Sequence, residues 1–109
     1  MRLYHNPRCS KSRQALALLE EREIEFEDYR YLERGIDPED IELLLDLNGI
    51  IRTNEDEYKN SGVDLDDRNE LRGLMLTHPR DVERPILVHN GKAIIGRPPE
   101  DILALIQEQ

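Results

Sequence analysis

A single cysteine, Cys9, lies between the turn-forming Asn6-Pro7-Arg8 and the start of a helical pattern at Ser10. Backbone amides at a helix N-terminus are unpaired and carry positive partial charge, so a thiolate is stabilised there. Arg8, Lys11 and Arg13 cluster around the cysteine in a chain that has 24 acidic residues. Basic residues in the first turn oppose the helix dipole, and local stability alone would favour Asp or Glu. A site built to hold an anion accounts for the inversion, and the chemistry it implies is nucleophilic attack by sulfur. The other reading of a lone cysteine is a small buried hydrophobe, and the local sequence leaves both open. In Cys9-Ser10-Lys11-Ser12, serine stands where a dithiol oxidoreductase has its resolving cysteine. A catalytic thiolate here cannot close an internal disulfide, so an external thiol must resolve it. His5, at the end of a short strand pattern, either tunes the thiol or is a polar edge residue.

The elements that position these residues can be read from periodicity. Residues 2–5 form a short first strand, and Pro7 fixes the turn after it. Ala15, Leu16, Leu18 and Leu19 mark one face of a helix running from Ser10 to about Glu23. Residues 24–29 alternate apolar and polar, the pattern of a second strand. Asp37-Pro38 reads as an N-cap with proline at the first helical position, followed by Ile41, Leu44, Leu45 and Leu47, with Asn48-Gly49 as the stop. Further helices are expected over residues 54–62 and 67–77. Asn90-Gly91 between Ile86-Leu87-Val88 and Ala93-Ile94-Ile95 is a strong hairpin signal. Gly96-Arg97-Pro98-Pro99 then opens a last helix through Ile106. The order β-α-β-(helices)-β-β-α over residues 1–109 predicts one α/β domain, a thioredoxin-like (glutaredoxin-like) sandwich with a helical insertion at about 36–80.

Composition narrows the function classes. A net charge of −9 argues against binding a phosphate backbone, and with four Tyr, one Phe and no Trp there is little for bases to stack on. No run approaches the length of a membrane span, and the first residues carry no apolar leader. One cysteine rules out an intramolecular disulfide framework and favours a reducing compartment, so a cytoplasmic protein is expected. Three His and one Cys lack metal-ligand spacing, and no bound cofactor is expected.

The run Tyr4-His5-Asn6-Pro7-Arg8-Cys9-Ser10-Lys11-Ser12-Arg13 resembles the signature of ArsC-type arsenate reductases that use glutathione and glutaredoxin. The resemblance continues through Ile51-Arg52-Thr53-Asn54, Glu83-Arg84-Pro85-Ile86 and Gly96-Arg97-Pro98, covering essentially the whole chain. It implies that Cys9 attacks arsenate or a similar oxyanion, that glutathione as co-substrate takes over the adduct, and that glutaredoxin reduces the mixed disulfide. It also implies that Arg52, Arg84 and Arg97 hold the oxyanion, with His5, Ser10, Lys11 and Ser12 in support, and that Pro85 is a cis-proline facing the cysteine. Taken singly, each arginine reads as a solvated surface residue, yet a planar guanidinium fork suits a tetrahedral oxyanion. The same resemblance reaches Spx-type regulators that bind RNA polymerase. Those carry a Cys-x-x-Cys pair that this chain lacks. A monothiol glutathione-dependent oxidoreductase with another substrate is the further alternative.

Overall fold

Leu3 and Tyr4 are wholly buried in β1 (Arg2–Tyr4), an inner strand of the sheet in a computed structural model that describes residues 1–107. α1 (Ser10–Glu21) follows, then β2 (Glu27–Tyr29), which pairs parallel to β1. The helical stretch is α2 (Tyr31–Arg34), α3 (Ile41–Leu45), α4 (Asp56–Lys59) and α5 (Arg68–Thr77), with a short 3₁₀ turn at Pro79–Asp81. β3 (Ile86–His89) pairs antiparallel to β1, β4 (Lys92–Ile95) pairs antiparallel to β3, and a 3₁₀ turn (Pro99–Ile102) leads into α6 (Leu103–Gln107). The sheet order is β2-β1-β3-β4. This is the expected element order.

Alternation along the strands divides the interior into two layers. Leu3, Leu87 and Ile94 face one side and pack with Ala15 and Leu19 of α1 and with Ile102 and Leu105. Tyr4, Ile86, Val88 and Ile95 face the other and pack under the helical stretch, against Tyr31, Leu44, Leu71, Leu74 and Met75. The hairpin forms as its turn residues require, with φ of 52° at Asn90 and 74° at Gly91. Asp67 caps α5 by accepting from the amides of Asn69 and Glu70.

Four local expectations give way in the structure. α1 ends at Glu21 rather than Glu23, because Glu23 turns into positive φ (55°) and the amide of Ile24 bonds back to the Leu19 carbonyl. That reversal lays Ile24 and Phe26 on the α1 layer, so the strand expected over residues 24–29 is only Glu27–Tyr29. The helix expected to start after Asp37 starts at Ile41 instead. Asp37 closes a turn onto the Glu39 amide, while Arg2 Nη1 bonds the carboxylates of Asp37 and Asp40 at 2.7 Å each and the Tyr4 hydroxyl bonds Asp40 at 2.6 Å. Asp37 thus makes a cap-like bond with one oxygen, but Arg2 draws its other oxygen and Asp40 toward β1, and the regular helix begins only at Ile41. α2 has no periodic signal; it packs through one buried residue, Tyr31, whose hydroxyl donates to the Val82 carbonyl. The helix expected over 54–62 shortens to α4, before a left-handed Gly62.

Candidate active site

Cys9 is the N-cap residue of α1, half-buried, with extended backbone and no side-chain capping bond of its own. Its amide bonds to the Asn6 carbonyl and its carbonyl accepts the Arg13 amide, so the turn and the first helical turn share the cysteine as their hinge. An N-cap side chain stands over the amides of the second and third helical residues, here Lys11 and Ser12. No acidic side chain stands in the first turn of α1. Ser10 and Lys11 are exposed.

Ser12 and His5 hold this turn from beneath. Both are buried, and Ser12 Oγ lies 2.6 Å from His5 Nδ1. The Asn6 amide donates to the same Oγ, which leaves the serine hydroxyl proton free to donate to Nδ1. Burial is the main cause that pushes the His5 imidazole below its ordinary pKa, so it is neutral at pH 7. His5 therefore meets Ser12 and not the thiol, and the serine in the resolving position is a structural fastener between strand and helix.

The arginines come from the other edge of the site. Ile51 and Val82 form an antiparallel bridge, flanked by the Arg52 amide donating to the Asp81 carbonyl and the Glu83 amide donating to the Ile50 carbonyl, each at 2.7 Å. This short ladder sets Arg52 beside Glu83. Beyond it, Arg84-Pro85 is cis, as the resemblance implies, and Arg97-Pro98 is cis as well. Gly96 passes so close to Pro85 that a β-carbon there would stand 2.8 Å from the proline ring, and only glycine lets the two loops meet. Arg97 thus reaches the cysteine: its Nη2 is 3.6 Å from Cys9 Sγ, and its Nε donates to the Arg84 carbonyl at 3.0 Å.

Glu83 was not anticipated as a site residue. Its Oε1 takes Arg97 Nε at 3.1 Å and Arg52 Nε at 3.7 Å, and also accepts the Arg84 amide at 3.0 Å. Arg52 Nη1 has a second carboxylate, Glu55, at 3.2 Å. One carboxylate oxygen thus braces two guanidinium groups by their Nε edges and leaves the Nη edge of Arg97 toward sulfur. Arg52, Asn54, Glu83 and Arg97 line a cleft of about 370 Å³. The one sequence signal for Glu83 is its place next to Arg84-Pro85.

Arg84 is placed differently from the other two. It is 3% exposed, its Nη1 donates to the Arg80 and Val82 carbonyls, and its guanidinium carbon lies 5.8 Å from the centre of the Tyr31 ring. Its Nε is buried without a partner. Among the described residues its side chain makes no hydrogen bond to Cys9 or to the Glu83 carboxylate. Three residues earlier in the chain, Asp81 is fully buried with both carboxylate oxygens unpartnered among the described residues, and burial raises its pKa. The structure therefore joins Cys9, Arg97 and Arg52, and brings in Arg84 through its backbone.

Residues 4–105 match the model of the ArsC family. A relative called arsenate reductase in Neisseria meningitidis is 43% identical over 97% of each chain. The solved structure of an arsenate reductase from Vibrio cholerae superimposes with a TM-score of 0.83 at 42% identity, covering 95% of this chain and 97% of that one. A more distant relative, 27% identical over 97% of this chain and 90% of its own length, is the regulatory protein MgsR of Bacillus subtilis. These likenesses agree with the thioredoxin-like architecture read from the element order.

Proposed function

The chain belongs to the ArsC family, and on that premise we propose that it is an oxidoreductase in which the Cys9 thiolate attacks arsenate or a similar oxyanion. The observation that carries the reading is the Arg97 guanidinium 3.6 Å from Cys9 Sγ, braced together with Arg52 on the single carboxylate of Glu83. Sulfur attacks As(V), an S–As bond forms, and one arsenate oxygen leaves as water after taking up a proton. Negative charge gathers where thiolate meets oxyanion, and preorganised guanidinium donors stabilise it there without reorganising. In this reading Arg97 and Arg52 hold the anion and Arg84 joins them through the loop it anchors. The N-cap position of Cys9 sets its sulfur at the positive end of the α1 dipole.

Resolution must come from outside, because the chain has one cysteine and Ser12 is committed to His5. A glutathione thiolate attacks Cys9 sulfur, an S–S bond forms, the S–As bond breaks, and its electron pair stays on arsenic as arsenite. Glutaredoxin then exchanges its own thiolate for Cys9 on the glutathione sulfur and frees the enzyme. A cytoplasmic glutathione pool suits this cycle. The test is arsenite formation by the purified protein with glutathione and glutaredoxin, against Cys9→Ser. The parent should turn over arsenate and the serine variant should not, since a hydroxyl is a far poorer nucleophile at neutral pH. Equal rates would overturn the mechanism. No turnover by either, with Cys9 still forming a one-to-one glutathione adduct, would favour a monothiol oxidoreductase with another substrate. A regulatory role, as in the relative MgsR, would lead only if Cys9 formed neither adduct.

A further inference from the structure

The cations near Cys9 are not all neutralised. In a chain with 24 acidic residues, Arg2, Arg30, Arg34, Arg52, Arg68, Arg72 and Arg97 each hold a carboxylate. Arg8 and Arg80 are exposed and make no side-chain hydrogen bond or ion pair among the described residues. Both line one cleft of about 530 Å³, together with Asn6, Glu57, Pro79 and Arg84. Arg84 adds a buried guanidinium whose Nε has no partner. The cleft opens between the 6–8 turn and the corner after α5. It is separate from the cleft that Arg52 and Arg97 line, and Arg8 is the residue immediately before Cys9.

From this geometry we propose that the 530 Å³ cleft seats the small peptidic thiol that resolves Cys9, a thiol with two carboxylates and one ammonium group. The inference rests on the external-thiol reading of Cys9 and supplies the place from which that thiol approaches. The volume is that of a small-molecule site. Two unpaired arginines offer forks to two carboxylates, and among the described residues Glu57 is the one acid on the cleft wall, matching one ammonium. Exposed Leu32 and half-buried Pro79 give the peptide stem an apolar floor. An occupant anchored at Arg80 with its other end at Arg8 lies alongside the turn that presents the cysteine, in a cleft that shares no lining residue with the oxyanion cleft. Thiol and oxyanion then reach sulfur without competing for the same cations.

The test measures charge selectivity at Cys9 and needs no arsenate. Cys9 thiolate attacks oxidised glutathione, the S–S bond breaks, glutathione thiolate leaves, and mass spectrometry follows the mixed disulfide. The neutral bis(2-hydroxyethyl) disulfide undergoes the same exchange and serves as the reference. In the parent, oxidised glutathione should be strongly preferred over the neutral disulfide, and high salt should shrink that preference. Arg80→Ala should lower the ratio by about 3- to 5-fold, the size of an exposed ion pair. Charge reversal in Arg80→Glu should lower it by roughly 10-fold, with Arg80→Lys near the parent. None of the three substitutions removes the Arg80 carbonyl that Arg84 uses, and melting curves verify the fold. S-methylglutathione, which cannot exchange, should shift the NMR amide signals of Asn6, Arg8, His78 and Arg80 in the parent and not in Arg80→Glu. An unchanged ratio in Arg80→Glu, or S-methylglutathione shifts confined to other residues, overturns the proposal. A lowered ratio in a protein that never reduces arsenate would keep this seat and reject the oxyanion reading.

Discussion

Arg97 and Arg84 stand thirteen residues apart on matching Arg-Pro loops, yet replacing them should give opposite phenotypes. Arg97→Ala removes the guanidinium aimed at Cys9 Sγ and leaves Glu83 with Arg52 alone. A charge-assisted contact contributes about 1.5–3 kcal/mol. The Arg97 side chain is 35% exposed, so solvent screening places the loss at the low end. About 1.5–2 kcal/mol corresponds to a roughly 10- to 30-fold fall in kcat/KM for arsenate. Stability should change by less than about 1 kcal/mol, as for other exposed pairs. Arg84→Ala acts on the fold. The Arg80 carbonyl loses its donor, the Tyr31 ring loses its cation, and a space opens at a 3% exposed position, while the Val82 carbonyl keeps the Tyr31 hydroxyl. A loss of about 2 kcal/mol, or roughly 8–16 °C in Tm, is expected. Arsenite formation with glutathione and glutaredoxin, thermal melting, and Cys9 alkylation by neutral iodoacetamide separate the two effects. Alkylation should fall far less than arsenate turnover in Arg97→Ala. Parent-like arsenate kinetics in Arg97→Ala would refute its role as an anion ligand. A parent-like Tm in Arg84→Ala would refute its role as a buried anchor.

Burial, with Glu57 and Glu55 contributing, raises the Asp81 pKa, so folding favours its protonated form. That contribution is complete below the unfolded value of about 3.9 and is lost as pH rises through the folded value. Asp81→Asn should therefore gain stability relative to the parent between about pH 4 and pH 7. Paired urea midpoints measure the gap, and one that stays flat or shrinks with pH would refute the assignment. Arg2→Met should cost about 1–3 kcal/mol, since Asp37, Asp40 and Glu27 lose their shared partner, and adding Asp40→Asn should recover part of it. Thermal melts of the two single variants and the double variant complete that cycle, and strict additivity would mean that the pair does not interact. Ser12→Ala strips His5 Nδ1 and the Asn6 amide of a partner and should lower the denaturation free energy by about 1–3 kcal/mol. An unchanged urea midpoint would show that the fastener is not needed.

Local chemistry determined much of this protein in advance. A backbone reads its nearest neighbours, so Pro7, Asn90-Gly91 and the apolar spacing of α1 and α5 specify turn, hairpin and helices within a few residues. The same logic put Cys9 at a helix start with the wrong charges around it. What adjoining residues cannot encode is which distant charge claims them. Asp37 looks like a helix cap and does accept the Glu39 amide, but Arg2, 35 residues away, takes its other carboxylate oxygen once β1 lies beside the loop, and the helix starts only at Ile41. Ile24 and Phe26 alternate like a strand, but the layer over α1 has room for them and withdraws them from the ladder. The arginines of the site divide for the same reason. Antiparallel bridging of Ile51 to Val82 delivers Arg52 to Glu83, and the approach of Gly96 to Pro85 delivers Arg97 to Glu83 and Cys9. Arg84, in the same sequence context as Arg97, turns toward two interior carbonyls and the Tyr31 ring that packing places there. Residue type and spacing choose the element. The sheet order and the layers it brings together choose which side chains meet, because ion pairs and buried donors are settled by distance in space and by access to water.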